Sequence, residues 1–155
     1  ILENEPGHER AKALELELAP PAPPRPAAPK EPERKALTYE QLLGQAERLR
    51  QSDRPNKALK LYDKATDMEP EDAEGYIGLG WCYVDLEEPG AAINTFKQAL
   101  RYAPRMSDAH MGIAESYRMR GDKAKAIAHY KTYLDIMPSS DEAPVARRMI
   151  QMLEK

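Results

Sequence analysis

The sequence is poor in the residues on which most catalytic and metal sites depend. It holds a single cysteine, Cys82, so an intramolecular disulfide and a site built from several cysteines are both excluded, and we expect a buried, unreactive thiol. Its three histidines (His8, His110 and His129) are too few and too scattered to predict a metal cluster. No phosphate-binding glycine loop, nucleophile elbow or zinc-protease helix motif occurs, so we expect neither an enzyme nor a cofactor.

Long apolar runs and an excess of positive charge are also missing. No run of about 18 apolar residues is present, so we expect no transmembrane helix and no direct membrane insertion. The formal net charge is -3, which lacks the basic excess of most nucleic-acid-binding proteins, and no nucleic-acid partner is expected. With 41% hydrophobic and 32% charged residues, the composition is typical of a soluble, helical protein.

The start of the chain is relevant to the cellular compartment of the protein. It begins at Ile1 without a signal-peptide pattern, which suggests a piece of a longer protein. A single cysteine and no signal favour the cytoplasm, whereas an export or lipid-anchoring sequence upstream would place the protein in the periplasm or at a membrane. The compartment stays open, although the Ala/Pro-rich segment described next resembles those of GC-rich bacterial proteins.

Proline divides the sequence. Seven of the 14 prolines lie between Pro20 and Pro32, and they predict an extended, polyproline-like linker over residues 20–36, because proline fixes φ and lacks a backbone donor. A docking motif for a proline-reading domain is the alternative. Ahead of the linker, residues 1–19 carry an alternation of leucine and glutamate and predict a weakly specified segment, the end of an upstream region.

A repeat follows the linker, over residues 37–138. Pro70, Pro104 and Pro138 are evenly spaced, and their period of about 34 residues indicates stacked helix pairs. Large and small residues recur in the same columns, for example Leu42, Tyr76 and His110, then Ala58, Ala92 and Ala126, then Tyr62, Phe96 and Tyr130.

The second copy resembles the signature of the tetratricopeptide repeat family. The matching residues are Tyr76, Leu79-Gly80, Tyr83, Ala92, Phe96 and Pro104. The resemblance implies an all-α fold, a right-handed α-solenoid of three helix pairs with a C-terminal capping helix. The pairs are expected at about residues 39–72, 73–106 and 107–140, and the cap within residues 141–155, with Val145, Met149 and Met152-Leu153 as its packing stripe.

In this family the first helix of each pair lines a concave groove that holds a peptide or a helix. Side chains not needed for packing on these helices are the candidate partner-binding residues. They are Leu43, Glu47, Glu74, Ile77, Gly78, Trp81, Asp85, Met111, Gly112, Glu115 and Met119. An apolar strip bordered by acids predicts a protein partner with an apolar segment and basic flanks, either a peptide or a helix.

Two groove features have alternative explanations. Gly44, Gly78 and Gly112 recur at the repeat period, and they either let a ligand backbone approach or ease helix packing. Trp81 either faces the groove or packs between repeats. Chaperone-binding members of the family clamp a peptide carboxylate with Lys and Asn, whereas the corresponding positions here are Glu47, Gly78, Asp108 and Gly112, so no clamp is expected.

These patterns favour a non-catalytic protein–protein interaction module, a scaffold or adaptor. Two alternatives stay open. The first is a self-association module that forms homo-oligomers, and the second is a regulatory interaction domain of a larger multidomain protein.

Overall fold

The computed structural model describes residues 36–155, so the expectations for residues 1–19 and for the linker up to residue 35 lie outside the described residues. The described part contains seven α-helices and no strand, which confirms the all-α prediction for this part of the chain. The helices are α1 (Tyr39–Gln51), α2 (Pro55–Met68), α3 (Ala73–Asp85), α4 (Pro89–Tyr102), α5 (Ser107–Met119), α6 (Lys123–Ile136) and α7 (Ala143–Leu153). Within residues 36–155, no helix has the length and apolar character needed to cross a membrane.

Local sequence signals start the helices. Thr38 and Gln41 form a capping box at the beginning of α1, and the Asp72 carboxylate accepts a hydrogen bond of 2.9 Å from a backbone N–H in the first turn of α3. Pro55 and Pro89 open α2 and α4, where their fixed φ suits the helix and a missing N–H costs nothing. The first helices of the three pairs therefore begin one repeat period apart.

The helices stack in chain order. α1 packs on α2, α3 on α4 and α5 on α6, and each second helix also packs on the first helix of the following pair. α7 packs on α6 and completes the array. The arrangement confirms three helix pairs followed by a single capping helix, and it places α1, α3 and α5 side by side.

The connection within each pair has the same backbone feature. Asp53, Glu87 and Gly121 occupy equivalent positions in successive repeats and adopt φ values of 57°, 58° and 78°. Left-handed backbone suits glycine and strains other L-residues, so the turn geometry is held at Glu87 against its own preference. The same backbone hydrogen bond closes each turn, for example from the Glu88 N–H to the Tyr83 carbonyl at 2.8 Å.

The capping helix packs through different residues from those expected. Ala143 and Ala146 are fully buried in α7, whereas Val145 is 50% exposed and Met152 is 57% exposed. The expected packing stripe was therefore wrong for Val145 and Met152. Small alanines let α7 approach α6 closely, and this close contact turns the larger Val145 toward solvent.

Candidate partner-binding groove

Two of the three glycines that recur at the repeat period are packing sites. A Cβ atom on Gly78 would lie 2.0 Å from the ring of Tyr62, and one on Gly112 would lie 2.2 Å from the ring of Phe96. Each second helix thus presses an aromatic ring onto the next first helix, where only glycine leaves room. Of the two explanations given for Gly78 and Gly112, these contacts favour helix packing. Gly44 differs, because no atom lies within 4 Å of a Cβ placed there.

Met111 also differs from expectation. It is only 7% exposed and belongs to the buried core around Phe96 and Ile113, so its side chain is not available to a partner. The first helices of this fold pack on two sides, against their own second helix and against the preceding one. A single apolar stripe read from the sequence captures only one of those sides, which is why Met111 was misplaced.

A pocket of about 540 Å³ lies where α1 and α3 meet the start of α5. It is lined by Leu43, Gly44, Glu47, Arg50, Tyr62, Glu74, Ile77, Gly78, Trp81, Met106 and Asp108. The structure thus brings together Leu43, Glu47, Glu74, Ile77, Gly78 and Trp81 from the predicted set. Asp85, Glu115 and Met119 lie outside this lining, as do Met111 and Gly112. Tyr62 and Met106 were not predicted, since neither lies on a first helix at a groove position.

One arginine neutralises two of the groove acids. Arg50 pairs with Glu47 at 3.0 Å and reaches Asp85 of the next repeat at 3.4 Å. The Tyr62 hydroxyl donates a further hydrogen bond of 3.0 Å to Glu47. Hydrogen bonds from Arg50 are the main cause that lowers the pKa of the Glu47 carboxyl, against the opposing effect of its partial burial. Glu47 and Asp85 are therefore satisfied within the protein.

The third repeat contains the same arrangement, and the middle repeat replaces it. Tyr130 donates a hydrogen bond to Glu115, which also accepts one of 2.9 Å from Arg118. The equivalent positions of the middle repeat hold Trp81, Val84 and Phe96. The middle repeat is therefore apolar at these positions, and the glutamates of the repeats on either side are paired with their own tyrosine and arginine.

Two carboxylates at the edge of the pocket remain open. Glu74 and Asp108 lie in the first turns of α3 and α5, both are exposed, and neither has an ion-pair partner within residues 36–155. They line the same pocket as Ile77 and Trp81. The pocket thus combines an apolar floor with unpaired negative charge at one edge.

Two groups with reactive side chains lie away from this pocket. Cys82 is fully buried, and burial raises the pKa of its thiol to about 12, so the expectation of a buried, unreactive thiol is supported. His110 and His129 meet at 3.3 Å through their Nδ1 atoms. Within the described part of the chain, no three side chains of His, Cys, Asp or Glu converge on a metal position.

The chain is similar to known repeat proteins. A family model described as tetratricopeptide repeat matches residues 43–93 and 83–141, and a search of curated proteins finds no match. The Yersinia enterocolitica type III secretion chaperone SycD, solved with a peptide of the translocator YopD, is 19% identical with a TM-score of 0.71, over 79% of this chain and 97% of SycD.

Two further structures are similar. The second TPR domain of human RPAP3, solved with an HSP70 peptide, is 14% identical with a TM-score of 0.67, over 74% of this chain and 92% of that domain. MamA is 25% identical with a TM-score of 0.68, over 75% of this chain and 66% of MamA.

Proposed function

The chain belongs to the tetratricopeptide repeat family, and we propose that it is a non-catalytic protein-interaction module, a scaffold or adaptor, whose groove binds a segment of a partner protein. That segment is apolar and carries basic residues beside its apolar side chains. Similar folds have been solved with peptides of partner proteins, which supports a peptide-binding role for this fold.

The observation that carries the proposal is the composition of the pocket. Leu43, Ile77 and Trp81 are partly exposed on its floor, where an apolar partner side chain removes them from water at about 25 cal/mol per Å² of buried apolar area. Glu74 and Asp108 stand beside that floor and have no cationic partner among residues 36–155. A lysine or arginine next to the apolar side chain supplies the missing partner.

The charge that the groove prefers in a ligand depends on which of its acidic residues are not already paired with Arg50. Glu47 and Asp85 already contact Arg50, so they offer little to a ligand cation. Glu74 and Asp108 are the acids whose charge a partner meets directly. An acidic segment is repelled by these two carboxylates, and a peptide that ends in a free carboxylate gains no cationic clamp from Glu47 or Asp108.

The test uses the only tryptophan of the chain as its probe. Trp81 lines the pocket, so its fluorescence reports groove occupancy. We expect a short amphipathic Leu/Lys helix to shift the emission of Trp81 to the blue in a saturable titration, and the matched Leu/Glu helix to have no effect. The doubly substituted variant Glu74→Lys/Asp108→Lys should reverse this preference.

The control variant carries the same charge change away from the groove. Asp63 and Asp135 are exposed on α2 and α6, so Asp63→Lys/Asp135→Lys should bind the Leu/Lys helix with wild-type affinity. Equal binding of the two peptides by the wild-type protein, or equal weakening by both variants, contradicts the proposal.

A further inference from the structure

The capping helix exposes an apolar stripe of its own. Val145 and Met152 are two of the most exposed large hydrophobic residues in the described part of the chain, and Met149 between them is partly exposed. At about 100° per residue these three side chains fall on one side of α7. An exposed apolar stripe of this kind on a helix is a candidate contact surface for another molecule.

Basic residues border this stripe. At the same helical angle, Arg148 lies about 60° around α7 from Val145, on the side away from the core, and Lys155 follows two residues after the helix ends at Leu153. Both are exposed, and neither forms an ion pair within residues 36–155. α7 therefore carries an exposed apolar stripe with basic residues beside it, which is the ligand chemistry proposed for the groove.

We infer that the groove of one copy of this chain binds α7 of a second copy. The inference rests on the proposed function of the groove and names its occupant. Val145 and Met152 contact the apolar floor around Ile77 and Trp81, while Arg148 and Lys155 approach the two open carboxylates. Methionine suits such a contact, because its unbranched side chain adapts to an irregular pocket.

The groove and the α7 stripe lie on the same face of the molecule. Ala146 continues the column of Gly78 and Gly112 at the repeat period, and all three are buried, so α7 has the rotation of a first helix. Val145 therefore takes the place that Leu43 and Ile77 hold in earlier repeats. Since one chain carries both the open carboxylates of the groove and the basic Arg148 of α7, a two-fold axis pairs acid with base twice and closes a dimer.

Because both grooves of the dimer are occupied, dimer formation affects the binding of a protein partner. A partner segment must displace α7 of the other copy, so a protein partner and the dimer compete for one surface. The partner's apparent affinity should fall as the concentration of this chain rises.

The test reverses the charge of each half of the contact in the full chain. The groove variant is Glu74→Lys/Asp108→Lys, and the helix variant is Arg148→Glu/Lys155→Glu. Each variant alone should raise the dimer dissociation constant at least about tenfold in sedimentation velocity. An equimolar mixture of the two should dimerise again, because both contacts of the mixed dimer are complementary.

Controls separate this inference from the proposed function. Circular dichroism must show each variant to be folded, and Asp63→Lys/Asp135→Lys should dimerise as the wild type does. A wild-type protein that stays monomeric at about 1 mM, or variants whose mixture stays monomeric, overturns the inference. If the wild type is monomeric while the Leu/Lys helix still shifts Trp81 fluorescence, only the dimer fails. If neither occurs, the groove proposal fails as well.

Discussion

The rings of Trp81 and Phe96 meet edge to face, with centroids 5.4 Å apart and planes at 75°. In the first repeat the same two positions hold Glu47 and Tyr62, joined by a hydrogen bond, and the third repeat has the equivalent glutamate–tyrosine pair. A buried phenol needs an acceptor, and a partly buried carboxylate needs donors, so the two positions change together. This exchange in the middle repeat produces the apolar centre of the groove.

Alanine substitutions at two glycines should change stability in opposite directions. In Gly112→Ala the new methyl group collides with the Phe96 ring, which should lower the free energy of unfolding by about 1–3 kcal/mol. In Gly44→Ala the methyl group meets open space in a helix, which should raise it by about 0.5–1 kcal/mol. Urea unfolding monitored by circular dichroism measures both, and equal effects would refute the packing role of Gly112.

The strained turn offers a stabilising substitution. Glu87→Gly removes a left-handed conformation that costs an L-residue about 1–2 kcal/mol, partly offset by the greater chain entropy of glycine in the unfolded state. We expect a gain of about 0.5–1 kcal/mol in thermal or urea unfolding. Gly121→Ala, at the equivalent position with open space around it, should lose about 1 kcal/mol. A loss in the first variant would show that the glutamate side chain matters more than its backbone.

The groove carboxylate Glu47 should contribute to acid sensitivity. Its pKa is lower in the folded protein, mainly through hydrogen bonds from Arg50, so the folded state binds fewer protons than the unfolded state. The resulting stability is present above the unfolded pKa of about 4.3 and is lost as the pH falls through the folded pKa. Glu47→Gln should flatten the decline of the urea midpoint between about pH 5 and pH 3. An unchanged slope contradicts this assignment.

The histidine pair should give a second pH dependence in the same direction. His110 donates from Nε2 to the Pro104 carbonyl at 3.3 Å, so its Nδ1 accepts from His129. Burial, then the charges of His110 and Lys97, lower the pKa of His129 below its ordinary value of 6.5. The unfolded state therefore binds protons first, and stability is lost as the pH falls below about 6.5.

Titration of the histidine ring protons by NMR measures this directly. His129 should titrate below free histidine, and His129→Gln should remove the corresponding part of the stability change. A His129 pKa at or above 6.5 would contradict the geometry of the pair.

The sequence alone is sufficient to predict the helices, but it does not predict several of the contacts between them. The repeat period places every first helix, because turn and cap residues recur with it. The period does not reveal that Gly78 and Gly112 receive rings from the preceding repeat, since this contact joins two units. The pairing of His110 with His129 depends on side-chain conformations, which no spacing encodes. On α7 the large residues suggested the packing side, but Ala143 and Ala146 allow the closer approach.

The most direct test of the account maps the bound surface by NMR. Methyl groups of Leu43 and Ile77 and the indole of Trp81 are observed while the Leu/Lys helix is added. The account predicts the largest shifts at these three residues, with Leu59 and Leu100 on the second helices unchanged. Shifts concentrated on α2, α4 and α6, or no saturable shift at Trp81, would contradict the claim that the groove is the binding surface.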